Sequence, residues 1–126
     1  PGSSPKDHRF HLGENDQYIR VDALCENRPF TMGINNQPGW AVYMKGKNTL
    51  LQRYVHNQGA WYPNHGCSFR TAVTENCLRM ETFSPLFWLE PGNTIRHAEN
   101  LSLFQTPQNA DLKTEAGIHD FLENLQ

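Results

Sequence analysis

The sequence predicts an all-β domain, an antiparallel β-sandwich with one C-terminal α-helix. Two observations predict the sheets: apolar and polar residues alternate along several short segments, and turns rich in Gly, Pro and Asn separate those segments. A third predicts the helix, because the apolar period changes near the end of the chain. We therefore expect an extended N-terminal arm over residues 1–16, a β-sandwich over 17–106 and a helix packed on the sandwich over 107–126.

Composition bounds the class of protein. A chain of 126 residues with a net charge of −2 can bury one core and lacks the basic stripe that nucleic-acid binding needs. No apolar run is long enough to cross a bilayer. The three cysteines show no CxxC spacing, which favours reduced thiols in a cytoplasmic protein, although Cys67 and Cys77 can face each other across a hairpin. The sequence opens without Met, which leaves a removed leader open.

Eight short strands are predicted from alternation and turn chemistry. They cover residues 17–22, 30–34, 40–44, 49–55, 67–73, 77–83, 86–89 and 94–104. Gly46 is free to take a positive φ and marks a hairpin between the third and fourth. The fifth and sixth form a second hairpin, and the last two are expected to pair around Pro91-Gly92-Asn93. Residues 56–66 show neither the strand period nor the helix period of apolar residues, which predicts a long loop.

The terminal helix is predicted from apolar residues at positions i, i+3, i+4 and i+7. These are Ile118, Phe121, Leu122 and Leu125. Asn109 or Asp111 is the expected N-cap. Gly117 weakens the isolated helix by up to about 1 kcal/mol relative to Ala, so we expect tertiary packing to hold it.

Two residues are candidates for catalysis. Alternation places Glu81 on one strand face with Arg79 and Phe83, where a carboxylate can act as a general base or accept hydrogen bonds from sugar hydroxyls. The alternative is a solvated face with a surface ion pair. His97 lies on a strand with Glu99 and can exchange protons near neutral pH, or it is a hydrogen-bonded structural histidine.

Aromatic and basic side chains are candidates for ligand binding, because sugars stack on flat rings and bond to planar polar groups. The predicted binding residues are Trp40, Arg53, Trp61, Tyr62, Arg70 and Arg79. Trp61 and Tyr62 stand out because they lie in the long loop; the alternative is that these rings fill the ends of the sandwich. The remaining histidines lack ligand spacing and no nucleotide-binding glycine motif is present, so neither a metal nor a cofactor is expected.

Three motifs carry a family resemblance. They are Gly39-Trp40-Ala41 with Tyr43, Tyr62-Pro63 with Gly66-Cys67 and Phe69, and Glu81-Thr82-Phe83-Ser84-Pro85-Leu86, followed by LEPGNTIRHAENLSLF. As a set they resemble the C-terminal half of an uncharacterised galactose-mutarotase-like (aldose 1-epimerase-like) family. The resemblance runs from about Arg9 to the terminal helix.

The resemblance implies half of a β-supersandwich with a saccharide cleft on one face. In aldose 1-epimerases a glutamate in the segment that contains Glu81 acts as general base, with a histidine as acid. If this chain is a sugar epimerase, we expect Glu81 to be the base and His97 to be the acid. A half-sandwich leaves a sheet edge and a face uncovered, so we expect a homodimer. The leading hypothesis is a non-catalytic carbohydrate-binding module. The alternatives are a sugar mutarotase or epimerase, and a structural or protein-interaction domain without a small ligand.

Overall fold

The computed structural model describes residues 3–13 and 18–125. Within them lie eight strands and two helices. These are β1 (Phe10–Leu12), β2 (Ile19–Val21), β3 (Phe30–Ile34), β4 (Trp40–Lys45), β5 (Asn48–Tyr54), α1 (Pro63–Gly66), β6 (Phe69–Val73), β7 (Leu78–Thr82), β8 (Glu99–Gln105) and α2 (Glu115–Leu125). Residues 1, 2, 14–17 and 126, which belong to the predicted arm, the first predicted strand and the predicted helix, lie outside the described residues.

Three antiparallel sheets carry the fold. Strands β1 and β2 form a ribbon, β3-β6-β7 form one three-stranded sheet and β4-β5-β8 form another. The predicted all-β class with a C-terminal helix is confirmed. Side chains join the two larger sheets: the Tyr54 hydroxyl of β5 lies 3.1 Å from Ser68 Oγ, and Thr82 Oγ1 of β7 donates to Glu99 of β8 at 3.1 Å.

Two of the predicted hairpins are confirmed. Strands β4 and β5 meet at a two-residue turn in which Gly46 has φ of 59°, a value that glycine adopts without steric cost. Strands β6 and β7 pair with Arg70 opposite Glu81. Both turns therefore join strands that pair with each other.

The predicted third strand pair is wrong. Residues 83–98 contain no strand, and β8 pairs with β5 instead, from Asn48 opposite Gln105 to Tyr54 opposite Glu99. The Pro-Gly turn exists, with the Asn93 amide donating to the Glu90 carbonyl. No ladder continues from it, and residues 86–89 are exposed on a loop. A turn motif predicts a local reversal, whereas strand pairing also needs a face to bury.

Helix α2 covers one face of the β4-β5-β8 sheet. Its buried residues Ile118, Phe121 and Leu122 form the hydrophobic cluster, as the helical period predicts. The partly buried side chains around them are Tyr18, Trp40, Val42, Met44, Phe104, Ala110, Leu112 and Leu125. Every second residue of β4 thus packs under the helix.

The start of α2 differs from the prediction. Thr114, rather than Asn109 or Asp111, caps the helix, because its Oγ1 accepts the Gly117 amide at 3.1 Å. Asp111 supports that cap by accepting the Thr114 hydroxyl at 2.7 Å and the Lys113 amide at 3.0 Å. The hydroxyl of Thr114 therefore links the preceding turn to the first turn of the helix.

The N-terminal segment is packed against the domain over residues 3–13. Arg9 is fully buried, and its Nε and Nη2 each donate to the carboxylate of Asp7 at 2.9 Å. Its Nη1 donates to the Arg28 carbonyl at 2.9 Å, and the guanidinium lies 5.4 Å from the centre of the Phe30 ring. The segment thus closes over β3 through a buried ion pair, a role that the sequence pattern did not indicate.

Neither helix in the described part of the chain has the length and apolar character needed to span a bilayer. The thiols of Cys25, Cys67 and Cys77 are all free, and Cys77 Sγ lies 3.3 Å from Thr74 Oγ1. The hairpin bridge between Cys67 and Cys77 that the sequence left open is not formed.

Candidate functional site

An aromatic cleft lies between two loops. It has a volume of about 720 Å³ and is lined by Asn57, Ala60, Trp61, Pro85, Leu86, Phe87 and Trp88. One wall comes from the long loop after β5, and the other comes from the segment after β7. A backbone hydrogen bond of 2.7 Å from the Leu86 amide to the Trp61 carbonyl joins the two walls. We refer to this feature as the aromatic cleft.

The rings of the aromatic cleft face solvent. Trp61 is 81% exposed, and Trp88 is fully exposed. Phe87 and Leu86 are also more than half exposed. Burial of a large apolar side chain is worth about 1.5–3 kcal/mol, so this group of exposed rings forgoes that stabilisation. Contiguous apolar surface of this kind marks interaction sites.

Trp61 adjoins a hydrogen-bonded base formed by its own loop. The next residue, Tyr62, is buried and its hydroxyl accepts the Asn57 amide at 2.9 Å. Its ring stacks on His56 with centroids 5.0 Å apart, and His56 Nε2 lies 2.6 Å from Asn35 Oδ1. The predicted binding residue Tyr62 is therefore a support beneath the cleft, whereas Trp61 is part of the cleft.

A left-handed turn follows this base. Within α1, Asn64 and His65 have φ of 53° and 63°. Asparagine is among the residues that tolerate this conformation, and Pro63 fixes the backbone at the start of the turn. The Cys67 amide closes the turn by donating to the Pro63 carbonyl at 2.9 Å. The chain thereby reverses directly behind Trp61 and enters β6.

The predicted residues Glu81, Arg70 and Arg79 form a separate ion-pair cluster. The Nε of Arg70 donates to Glu81 Oε2 at 2.6 Å, and Arg79 Nη1 lies 3.9 Å from Glu81 Oε1. The hydrogen bond from Arg70 lowers the pKa of Glu81, and the charges of both arginines lower it further against the opposing effect of burial. The same bond raises the pKa of Arg70. A carboxylate held in its charged form is a poor proton acceptor.

His97 belongs to a different network. Its Nε2 lies 2.7 Å from Thr82 Oγ1, which also donates to Glu99 Oε2, and Gln52 donates to the same Glu99 oxygen. The His97 ring lies 6.5 Å from the Tyr54 ring. These contacts agree with the alternative interpretation of His97, namely a structural histidine held by hydrogen bonds.

Glu81 and His97 are not brought together. Thr82, the partner of His97, follows Glu81 directly on β7, and consecutive strand residues point to opposite faces of a sheet. The predicted base, Glu81, and the partner of the predicted acid, His97, thus lie on opposite faces of β7.

Two other predicted binding residues lie beneath helix α2. Trp40 packs against the helix cluster, and Arg53 stands opposite it across the β4-β5 ladder. The guanidinium of Arg53 donates to the Leu125 carbonyl near the end of the helix. Both residues hold the helix on the sheet, so neither is available to the aromatic cleft.

The second wall of the cleft lies in a segment that the sequence predicts to be a strand. Leu86, Phe87 and Trp88 form an unbroken apolar run, which predicts a buried strand. The available contrary signal was their position between Pro85 and the Pro91-Gly92 turn, because proline cannot donate to a strand ladder.

Among residues 3–13 and 18–125, no group of three or more His, Cys, Asp or Glu is arranged to hold a metal ion. The side chains described above offer ring stacking in the cleft and ion pairing on β6 and β7. Comparison with models of protein families, with curated proteins and with solved structures finds no match to this chain.

Proposed function

We propose that the protein is a non-catalytic carbohydrate-binding module and that the aromatic cleft is its binding surface. The single observation that carries the proposal is the exposure of two tryptophans, Trp61 and Trp88, on an open cleft of about 720 Å³. This volume is within the range of small-ligand sites. The resemblance to galactose-mutarotase-like proteins, stated above on its motifs, implies the same class of ligand.

Sugar recognition suits the chemistry of the cleft. The C–H faces of a pyranose ring are apolar and stack on flat aromatic rings, while its hydroxyls need a few hydrogen-bonding partners. Trp61, Phe87 and Trp88 supply the rings, and Asn57 supplies an amide. None of the residues that line the cleft is charged, which favours a neutral saccharide over a sugar phosphate.

The proposal is tested by ligand-detected NMR against a panel of neutral mono- and oligosaccharides. We expect binding that weakens by about tenfold or more in Trp61→Ala, since loss of about 1.4 kcal/mol of stacking corresponds to a factor of ten. Trp88→Ala should act in the same direction. Glu81→Gln is the matched control, because Glu81 does not line the cleft, and it should leave binding unchanged.

Two results would contradict the proposal. A blank panel on folded protein would favour a domain without a small ligand. Binding that survives Trp61→Ala but is lost in Glu81→Gln would move the site to the ion-pair cluster on β6 and β7.

The enzymatic alternative receives little support from the geometry. Glu81 is paired with Arg70 and lies on the other face of β7 from the partner of His97. We therefore expect no acceleration of glucose or galactose mutarotation in a polarimetric assay. Acceleration that disappears in Glu81→Gln would restore the epimerase hypothesis.

A reducing, cytoplasmic location is part of the proposal. It is supported by the three free thiols, two of which, Cys25 and Cys77, are exposed. Mass spectrometry of protein isolated under alkylating conditions should find all three cysteines alkylated. A homodimer, also expected from the sequence, is a separate proposal with its own surface on β8.

A further inference from the structure

One continuous stretch of the chain, residues 86–103, is exposed at every position. It contains seven large apolar residues at 44% exposure or more: Leu86, Phe87, Trp88, Leu89, Ile95, Leu101 and Leu103. Single exposed apolar residues are ordinary, but a continuous run of them marks a surface that meets a partner. The first part of this stretch forms a wall of the aromatic cleft, and the last part forms β8.

The total exposed area also indicates an uncovered surface. The chain has an accessible surface of 9140 Å². A compact monomer of its mass, 14.5 kDa, is expected to expose about 6,900 Å². The excess is larger than the roughly 800 Å² that each partner buries in a standard protein interface. The chain as a whole thus exposes more surface than a compact monomer of its mass, which is compatible with a partner-covered region.

Strand β8 is an edge strand without the usual protection. It lies at the end of the order β4-β5-β8 and, with seven residues, is as long as any strand in the described ranges. Natural edge strands are commonly short, covered, or broken by proline, bulges or inward charges. Between Asn100 and Gln105, β8 carries neither a charge nor a proline. Its outer edge is therefore open to another strand.

The face of β8 that lacks the helix is apolar in its middle, between Glu99 and Gln105. By the register of the sheet, Leu103 lies in one row with Leu50 and Tyr43, and Leu101 lies in the next row with Gln52. Leu101 and Leu103 are 62% and 74% exposed. A strand added to this edge would continue the sheet and place its own side chains beside both leucines.

We infer that β8 is the interface of a homodimer, in which the β8 strands of two copies pair antiparallel about a twofold axis at Ser102. The pairing makes a continuous six-stranded sheet. It sets Leu101 of one copy opposite Leu103 of the other, and it sets Glu99 opposite Gln105, so no like charges meet. In a twofold interface the same surface of both copies meets itself, so that surface must be complementary to itself, as β8 is in this register. This self-complementarity is why we infer a second copy rather than an unrelated partner. The inference is independent of sugar binding.

The register gives a direct test by cysteine cross-linking. Directly opposed residues of an antiparallel pair have Cα atoms about 4.5–5.5 Å apart, which is within the range for a disulfide. In a background where the exposed Cys25 and Cys77 are replaced by Ser, we expect Ser102→Cys to form a covalent dimer on mild oxidation. Asn100→Cys is the matched control on the same strand and face. Its two copies would lie about 14 Å apart along the strand, too far for a disulfide.

Mass measurement in solution completes the test. Light scattering at about 100 µM, a concentration that saturates a micromolar dimer, should give twice the chain mass of 14.5 kDa. Leu103→Lys, which places a charge at the interface, should give the monomer with an unchanged circular dichroism spectrum. Val55→Lys, at another 77% exposed position outside the stretch, should leave the dimer intact.

Three outcomes would overturn the inference. A monomeric wild-type protein at this concentration excludes the dimer. A dimer that persists in both Leu101→Lys and Leu103→Lys places the interface elsewhere. Cross-linking of Asn100→Cys in preference to Ser102→Cys excludes the register.

Discussion

The buried ion pair of Asp7 and Arg9 fixes the N-terminal segment at the level of single residues. Three hydrogen bonds join the pair: two from the Arg9 side chain and one from its backbone amide to Asp7 Oδ1. These bonds hold the pKa of Asp7 well below its usual range, and burial opposes them to a smaller extent. A buried arginine without its carboxylate would leave a charge unpaired, which is costlier than leaving out the pair altogether.

This pair predicts an acid-sensitive stability. Because the pKa of Asp7 is lower in the folded protein than its ordinary value of 3.8, the stabilisation is complete above that value and is lost as the pH falls below it. We expect the urea midpoint to fall between pH 4 and pH 2, and Asp7→Asn to lower it at pH 7 and flatten this dependence. Glu75→Gln, on an exposed turn, should retain the dependence. Parallel pH profiles for the wild type and Asp7→Asn would contradict this explanation.

The Glu81 cluster should act on stability and not on ligand binding. Its side chains are partly exposed, and pairs of this kind contribute about 0.2–1 kcal/mol. We expect Glu81→Gln to lower the free energy of unfolding by about 0.5 kcal/mol, with a smaller effect in 1 M NaCl because salt screens the charges. Chemical denaturation at two salt concentrations measures this. A loss that is the same at both concentrations would exclude ion pairing as its cause.

At the scale of elements, helix α2 depends on two contacts that its hydrophobic pattern does not specify. Thr114 supplies the cap, and Gly117 sits against the backbone of the preceding turn. A Cβ atom at Gly117 would lie 2.0 Å from the Asp111 carbonyl oxygen, which is far inside van der Waals contact. The glycine that weakens the isolated helix is therefore required by the turn before it.

Gly117→Ala tests this close approach. Helix propensity alone predicts stabilisation by up to about 1 kcal/mol, whereas the clash predicts a loss of about 1–3 kcal/mol from overpacking. We expect the loss, measured by chemical denaturation. Ala116→Gly, the reverse change one residue earlier at an exposed position, should cost no more than about 1 kcal/mol. A stabilised Gly117→Ala variant would show that the turn can move away.

The position of the helix cap is tested by Thr114→Ala. Loss of a threonine cap typically costs about 1 kcal/mol, and here it also removes a partner of Asp111. Thr114→Ser retains the hydroxyl and should restore most of the stability. Asn109→Ala, at the cap position that the sequence suggested, should be close to neutral. Thermal unfolding followed at 222 nm compares the three, and a larger loss at Asn109 would place the cap there.

Local elements were predictable because their signals are local. Gly46 and the alternation around it specify a hairpin without reference to the rest of the chain, and the period of Ile118, Phe121 and Leu122 specifies the buried side of α2. The partner of β8 was not predictable, because β5 lies more than 40 residues earlier. The residues of neither strand indicate which strand it pairs with. The same holds for β3, which pairs with β6.

At the scale of the whole molecule, one part of the candidate site was predictable from the sequence and another part was not. The loop position of Trp61 was a usable signal, since a ring outside any periodic strand has no assigned core face. Residue type alone did not distinguish Arg53 and Trp40 from Trp61 as predicted binding residues. They became part of the helix interface only because α2 folds back over β4. Which aromatic residues are exposed is thus decided by how the sheets and helix are arranged.

The dimer proposed for β8 has a thermodynamic consequence for the whole molecule. Because dissociation accompanies unfolding of a dimer, its melting temperature rises with protein concentration. We expect the melting temperature of the wild type to increase between 5 and 500 µM, concentrations that bracket a micromolar dissociation constant. That of Leu103→Lys should stay constant. Differential scanning calorimetry distinguishes the two, and a constant value for the wild type would count against the dimer.

The order in which the elements occur along the chain also bears on biosynthesis. Strand β4, whose apolar side chains include Trp40, Val42 and Met44, is made well before β8 and α2, the elements that flank and cover its sheet. During translation at about 5–20 residues per second, this apolar face therefore remains open for several seconds after it leaves the ribosome. We expect the nascent chain to depend on chaperones in that interval, and premature termination before α2 to yield aggregates rather than a smaller folded domain.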